Sequence, residues 1–153
     1  MTRFSAHNQS SATLKSSRKE VWDVLTDAKL LPKLTPYLHT IDVDGDRWRW
    51  NVAKVPLLGR SIGTTFTEVM TFEKPTHIGF AHDPARTDER TGVDGNYELT
   101  PLGTGTRVAI DLEIWCDLPL PRLSRIAVET VMHGVVAAMG RRFAANMLRH
   151  LGE

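Results

Sequence analysis

The order of the local patterns along this chain restricts its possible folds more than any other feature. Two short helices near the start are followed by strand patterns from about residue 39 to about residue 116, and one long amphipathic helix runs from about Arg122 to Leu151. A single helix has one apolar stripe, which cannot fill the concave face of a curved antiparallel sheet. We therefore predict an α+β fold with an apolar pocket between the sheet and the last helix.

Seven strands are predicted from strand-like patterns, and the alternation of apolar and polar residues is clearest in the third and the seventh. They cover approximately residues 4–15, 39–43, 47–54, 61–73, 77–82, 94–100 and 106–117. In the last strand Val108, Ile110, Leu112 and Ile114 share one face, so the other face of the sheet is expected to contact water. The length of 153 residues fits one domain, residues 1–153.

The two early helices carry recognisable start and stop signals. Ser17 and Glu20 have the spacing of a capping box, so the first helix is expected to begin there. The second is expected to be capped by Thr26-Asp27 and to end at Pro36.

The predicted connections differ between the two ends of the sheet. Tight turns at Asp44-Gly45, Lys74-Pro75 and residues 103–105 fall at one end, and longer loops at residues 55–60, 83–92 and 118–121 fall at the other. Two of the longer loops place apolar residues beside proline. We interpret this end as the mouth of the pocket.

Composition excludes several functional classes. The chain has 19 basic and 18 acidic side chains and no basic run, so nucleic acid is not an expected partner and a membrane surface has no broad electrostatic attraction. No apolar run approaches the roughly 20 residues of a membrane-spanning helix, and the polar N-terminus does not resemble a signal peptide. With Cys116 as the only cysteine, a reducing, cytoplasmic location is expected. The oligomeric state is not indicated.

No motif for a metal or a cofactor is present. The sequence has no nucleophile elbow, phosphate-binding loop or dinucleotide fingerprint. None of the six histidines has a partner at zinc-ligand spacing. We expect neither a metal nor a cofactor.

Glu68 is the first of three candidate polar groups in the pocket. It shares strand parity with Ile62, Phe66, Met70 and Phe72. A carboxyl group in apolar surroundings has a raised pKa, which suits it to proton transfer or to hydrogen bonding a ligand. Two alternatives remain open: the strand is inverted, with Val69 inward, or Glu68 pairs with an arginine.

His82 and Tyr97 are the other two candidates. His82 follows Ile78 and Phe80 on one parity near the predicted mouth, where it could act as a base, or could simply be a solvent-exposed residue at a strand end. Tyr97 shares a face with Leu99 and could offer its hydroxyl group to a ligand, or could be ordinary core.

Large apolar side chains are expected to line the pocket. Methionine adapts to irregular ligands, although a stripe of methionines at helical spacing also occurs in ordinary packing. The predicted ligand-binding residues are Trp48, Trp50, Phe66, Met70, Phe80, Trp115, Met132, Val136 and Met139.

Four parts of the sequence resemble the START-like superfamily, also called the SRPBCC or helix-grip superfamily. They are residues 19–27 (KEVWDVLTD), residues 73–75 before a strand, residues 95–101 (GNYELTP) followed by Gly105-Thr106, and the closing helix. The resemblance covers nearly the whole chain. It is strongest to the bacterial polyketide cyclase/dehydrase and lipid-transport branch.

The resemblance implies a helix-grip fold of the START/Bet v 1-like type, with a curved seven-stranded antiparallel sheet around the long C-terminal helix and two short helices after the first strand. It also implies a hydrophobic ligand, such as a lipid, quinone or polyketide, which some members modify and others only carry. Aromatase/cyclases of this branch usually begin the second helix with Trp-Pro, whereas this chain has Leu31-Pro32.

The sequence therefore favours a protein that binds a hydrophobic small molecule and shields it from water. The alternative is a polyketide aromatase/cyclase or dehydrase, in which Glu68, His82 or Tyr97 would supply acid/base catalysis. A third interpretation is an interaction module whose apolar loops contact a protein or a membrane.

Overall fold

The computed structural model of the protein describes all residues, 1–153. Its elements are β1 (Thr2–Leu14), α1 (Arg18–Leu25), α2 (Leu31–Leu34), β2 (Leu38–Asp44), β3 (Arg47–Leu57), β4 (Arg60–Glu73), β5 (His77–His82), β6 (Thr91–Leu102), β7 (Gly105–Leu118), a 3₁₀ turn (Arg122–Ser124) and α3 (Arg125–His150). The seven strands form one antiparallel sheet in the order β1-β7-β6-β5-β4-β3-β2. The predicted helix-grip architecture is confirmed.

The start of α1 is the predicted capping box. The Ser17 hydroxyl accepts a hydrogen bond from the backbone N–H of Glu20 at 3.3 Å, and the Glu20 carboxylate accepts one from the backbone N–H of Ser17, also at 3.3 Å. The Asp27 carboxylate accepts bonds from the backbone N–H groups of Lys29 and Leu30 just before α2. These bonds satisfy backbone donors that a helix start would otherwise leave without partners.

The predicted loop at residues 55–60 is wrong. β3 continues to Leu57 and β4 begins at Arg60, so only Leu58 and Gly59 form the turn, with φ of 54° and 76°. The register of β3 with β4 shifts between Val52 and Val55. This bulge precedes Pro56 and lets the strand continue, since sheets accommodate proline near bulges. The next loop is also shorter than predicted, because β6 begins at Thr91.

Two apolar clusters hold α3 on the concave face. The large cluster contains 14 buried residues: Leu14, Val21, Trp22, Val24, Leu25, Leu31, Leu34, Leu38, Trp48, Met70, Ile78, Leu99, Val108 and Met147. The small cluster contains six, at the other end of α3: Phe4, Ala6, Leu57, Leu118, Val128 and Met132. Each cluster fixes one end of the helix, because burial of apolar area is its main stabilisation.

Polar contacts fix the C-terminal end of α3. The Glu153 carboxylate accepts hydrogen bonds from the backbone N–H groups of Lys15 and Ser16 at 2.6 and 3.1 Å, and from the Ser16 hydroxyl at 2.6 Å. The Asn146 side chain donates to the carbonyl of Leu34 at 2.8 Å, which ties α3 to α2. None of the helices combines the length and apolar character needed to cross a bilayer.

Candidate functional site

The inner face of β3 and β4 carries a wall of aromatic rings. The Trp48 and Trp50 centroids lie 6.2 Å apart, and the Trp50 ring stacks on Phe66 at 6.1 Å with an interplanar angle of 6°. Trp48 also contacts Phe72 at 5.7 Å. Because Trp48, Trp50 and Phe66 occupy alternate positions of paired strands, they all point towards α3.

Glu68 belongs to this inner face. It lies between Phe66 and Met70 on β4 and pairs with Trp48 of β3, and only 3% of it is exposed. The strand is therefore not inverted. The ion pairs of the structure do not include Glu68, so the alternative of an arginine partner is also excluded.

Burial raises the pKa of Glu68 well above its ordinary value, and the negative charge of Asp94 raises it further. A carboxylate without a counter-ion is strongly disfavoured in such surroundings. The neutral acid is therefore favoured over a wider pH range than for an exposed glutamate. In that form Glu68 can donate a hydrogen bond or a proton into the interior.

Tyr97 lies on the inner face of β6, two strands away from Glu68. It pairs with Ile78 of β5, and its ring contacts that of Phe80 edge-on at 6.0 Å. Burial raises the pKa of the Tyr97 hydroxyl, and the Glu68 charge adds to that shift. The phenol therefore stays protonated and remains a hydrogen-bond donor.

Trp50, a predicted lining residue, supplies a third donor, a role that the sequence did not indicate. Its indole Nε1 atom is buried and has no hydrogen-bond partner. A buried donor without a partner costs free energy and usually has a structural or functional explanation. The strand pattern predicted that the ring faces inward, but only the three-dimensional packing shows that no protein group reaches its N–H.

His82 does not point into the interior. Its ring packs edge-on against Trp115 at 5.1 Å, and its Nε2 lies 2.9 Å from Glu89 Oε1. Glu89 in turn accepts bonds from the backbone N–H and hydroxyl of Thr67, at 2.7 and 2.8 Å. The loop after β5 thus covers the outer face of β4, and it holds the His82 ring there. The expectation that His82 lies at the pocket is corrected.

Trp115 lies on the outer face of β7, contrary to its prediction as a lining residue. Its neighbours Ile114 and Cys116 pack against the small cluster, so strand alternation directs Trp115 the other way. The Arg3 guanidinium lies 3.7 Å above its ring. A Cβ atom at Gly92 would lie 2.4 Å from the same ring, so the Trp115 ring packs directly on the backbone of Gly92, where no side chain intervenes.

The remaining predicted ligand-binding residues face the interior, some from the sheet and some from α3. Met70 belongs to the large cluster and Phe80 packs against it, while Met132 belongs to the small cluster. Val136 and Met139 follow Met132 at helical spacing, so all three lie on one face of α3. They continue that face into the middle of the helix.

The middle of the interior is less tightly packed than its two ends. Val135, Val136 and Met139 of α3, and Ile110 and Leu112 of β7, are half-buried and belong to neither apolar cluster. Fully packed cores bury such residues almost completely. Accessible apolar surface therefore lies between α3 and the middle of the sheet.

Two surface grooves lie away from this interior region. One, of about 670 Å³, lies between the α1–α2 connection and β2, and it is lined by residues that include Asp27, Ile41 and Val43. The other, of about 450 Å³, lies between β1 and the start of α3, beside Ser5 and Ile126. The predicted ligand-binding residues line neither groove.

Comparison with known proteins identifies the family. The sequence model for polyketide cyclase/dehydrase and lipid transport proteins matches residues 5–152. The chain belongs to this polyketide cyclase/dehydrase and lipid transport family. The START-like resemblance noted in the sequence is thereby confirmed. No curated protein sequence matches the chain.

Solved structures share the fold of this family member. A conserved protein from Geobacillus kaustophilus is 16% identical, with a TM-score of 0.76 and coverage of 95% of both chains. A START superfamily protein from Mycobacterium smegmatis is 14% identical, with a TM-score of 0.71 over 94% of this chain and 95% of that one. An aromatase/cyclase from Streptomyces sp. R1128 is 12% identical, with a TM-score of 0.71 over 95% and 93%. At these identities the likeness establishes the fold alone.

No group of three or more His, Cys, Asp or Glu side chains in this family member is arranged to hold a metal ion. The polar groups on the inner face include Trp50 Nε1, the Glu68 carboxyl group, the Tyr97 hydroxyl, and Asn8, whose Oδ1 atom is also buried without a hydrogen-bond partner. Such an arrangement can orient an uncharged ligand through its hydrogen-bond acceptors.

Proposed function

We propose that this domain, residues 1–153, binds a hydrophobic small molecule such as a lipid, quinone or polyketide-like compound between α3 and the inner face of the sheet. The observation that carries the proposal is the half-buried apolar surface of Val136, Met139, Ile110 and Leu112, between two fully buried clusters. Family membership supports it. A ligand at this position would complete the burial of these residues.

Apolar contact would supply most of the affinity. At about 25 cal/mol per Å², burial of about 300 Å² of apolar ligand surface contributes roughly 7.5 kcal/mol before the costs of binding are subtracted. The aromatic wall of Trp48, Trp50 and Phe66 provides rigid area for this contact. Rigid side chains lose little conformational entropy when a ligand binds.

The three donors favour a particular kind of ligand. Trp50 Nε1, protonated Glu68 and the Tyr97 hydroxyl can each donate a hydrogen bond to a carbonyl or quinone oxygen. A carboxylate ligand beside Glu68 would be repelled whenever Glu68 is ionised. We therefore favour an uncharged, carbonyl-bearing compound.

The test is direct detection of ligand in the purified protein. Native mass spectrometry should show a bound mass that solvent extraction removes, and an environment-sensitive apolar dye should then bind with a stoichiometry near one. Met139→Trp should weaken dye binding at least tenfold because it fills the space beside the half-buried residues. Arg141→Trp, at an exposed position on the same helix, is the matched control. Dye binding that is absent, or equal in both variants, would contradict the proposal.

A polyketide aromatase/cyclase or dehydrase remains the second candidate function. The observation that favours it is that Glu68, a carboxyl group with a raised pKa, lies on the same inner face of the sheet as Tyr97. In that role Glu68 would transfer a proton and Tyr97 would hold a substrate oxygen, while His82 is not used because its ring contacts Trp115 and Glu89. Glu68→Gln should then lower turnover by on the order of a hundredfold, whereas a carrier should keep its ligand affinity within a few fold.

A further inference from the structure

Three apolar side chains project into solvent at the end of the molecule that contains the small cluster. Leu123 is 99% exposed and Ile126 is 84% exposed, both where α3 begins, and Leu58 at the tip of the β3–β4 hairpin is 47% exposed. Isolated exposed apolar residues are common. Here two large apolar residues only three positions apart, Leu123 in the 3₁₀ turn and Ile126 in the first turn of α3, are both almost fully exposed.

The three residues belong to one end of the fold. Leu57, which precedes Leu58, is part of the small cluster, and so is Val128, which follows Ile126 by half a turn. Leu120, between β7 and the 3₁₀ turn, packs against the same cluster. The hairpin tip and the start of α3 therefore both project outward from the small cluster. We call Leu58, Leu123 and Ile126, together with the exposed basic residues Lys54, Arg60 and Arg122, the apolar-basic end.

Basic side chains surround the projecting residues. Lys54, Arg60 and Arg122 are exposed, and they are absent from the ion pairs of the structure. Of the carboxylates at this end, Asp117 pairs with Arg3 at 2.8 Å and Glu129 pairs with Arg125 at 3.0 Å. Asp88 is exposed without an ion pair, in a loop that also contains the exposed residues Arg86 and Arg90. This end is thus positive, although the whole chain has a formal net charge of only +1.

We propose that the apolar-basic end docks on an anionic phospholipid surface. Leucine and isoleucine side chains at the tips of a hairpin and a helix can enter the boundary between headgroups and acyl chains, while arginine and lysine contact the phosphates. A bilayer accepts separate protruding side chains without a matching surface. A protein partner or a second copy would require shape complementarity over a continuous area.

The docking surface lies directly outside the small cluster, next to the half-buried interior. If the proposed function holds, a hydrophobic ligand could pass between bilayer and interior at this end without crossing water. The docking itself needs no ligand. Its test can therefore fail or succeed independently of ligand binding.

The experiment is vesicle co-sedimentation of the full chain with phosphatidylcholine alone and with phosphatidylcholine containing phosphatidylglycerol. Wild type should bind the anionic vesicles and bind the neutral ones much more weakly, with the bound fraction falling as NaCl is raised. The double variant Leu123→Ser/Ile126→Ser should weaken binding by on the order of tenfold or more. Arg60→Glu/Arg122→Glu should abolish the preference for anionic vesicles.

The matched control is Val43→Ser/Leu102→Ser, which changes two other exposed apolar residues outside this surface and should leave binding unchanged. Thermal unfolding of each variant shows whether the fold is retained. Absence of wild-type binding to anionic vesicles would overturn the proposal, and so would equal binding by wild type and both apolar-basic variants. Self-association that Leu123→Ser/Ile126→Ser abolishes, without vesicle binding, would assign the surface to a second copy and also overturn it.

Discussion

Glu68 and Trp48 lie directly opposite each other on paired strands, so a carboxyl group without a counter-ion is held against an indole ring in the protein interior. The cost of ionising such a group is high, because neither water nor a positive side chain stabilises the charge. The pair therefore links the aromatic wall to a titratable group. The titration of Glu68 should therefore be measurable as a pH dependence of both the free energy of unfolding and the affinity for a ligand.

Glu68→Gln should flatten the dependence of stability on pH. The folded-state pKa of Glu68 is raised above the unfolded value. Its contribution to stability is therefore fully present below about pH 4.3 and is lost as the pH rises towards the folded pKa, by up to about 1.4 kcal/mol per pH unit. Urea unfolding of both proteins between pH 4 and 8 measures the difference. A pKa near 4.3 for Glu68 in an NMR titration would contradict this expectation.

Trp50→Phe should weaken the binding of a carbonyl-bearing ligand more than it changes stability. The substitution keeps an aromatic ring against Phe66 and removes the buried N–H that has no protein partner. Loss of one hydrogen bond should reduce affinity by about 0.5–1.5 kcal/mol, which isothermal titration calorimetry resolves. Trp115→Phe on the outer face is the control and should leave affinity unchanged.

Glu89→Gln should destabilise the fold by about 1–3 kcal/mol. The side chain of Glu89 is only 8% exposed, and it accepts hydrogen bonds from Thr67 while it lies beside His82. The amide retains one acceptor oxygen and loses the charge. Glu98→Gln is the comparison. The Glu98 side chain, which pairs with His77, is 55% exposed, so this pair should contribute less than about 1 kcal/mol. Equal unfolding free energies for the two variants would show that the loop is not held by Glu89.

Glu153→Gln should lower thermal stability at neutral pH and have little effect in acid. Hydrogen bonds from the Ser16 hydroxyl, and from the backbone of Lys15 and Ser16, lower the pKa of this carboxyl group. Its stabilisation is present above the unfolded pKa and is lost as the pH falls through the folded value. Melting temperatures of wild type and variant should therefore converge at low pH. A constant difference down to pH 2 would argue against this account.

Local patterns were sufficient to predict the type and order of the elements, but not all of their ends. The alternation along β3, β4 and β7, and the Ser17-Glu20 capping box, depend on neighbours in the sequence, and the structure contains each of them. Residues 55–60 were misjudged because Pro56 and Gly59 are typical of loops. A bulge before Pro56 and a two-residue turn keep the strands paired there.

The sequence by itself determined which residues share a face, whereas only the tertiary structure decided what each face meets. Strand periodicity grouped Glu68 with Phe66 and Met70 but could not say whether α3 or water covers that face. His82 lies at the end of a strand, and its ring is held by Glu89 and Trp115, a loop residue and a residue two strands away. The apolar-basic end likewise exists only because the hairpin of Leu58 and the helix start of Ile126 meet at one cluster, far apart in sequence. Contacts between distant segments depend on how the sheet curves and where the helix docks, and no local pattern encodes them.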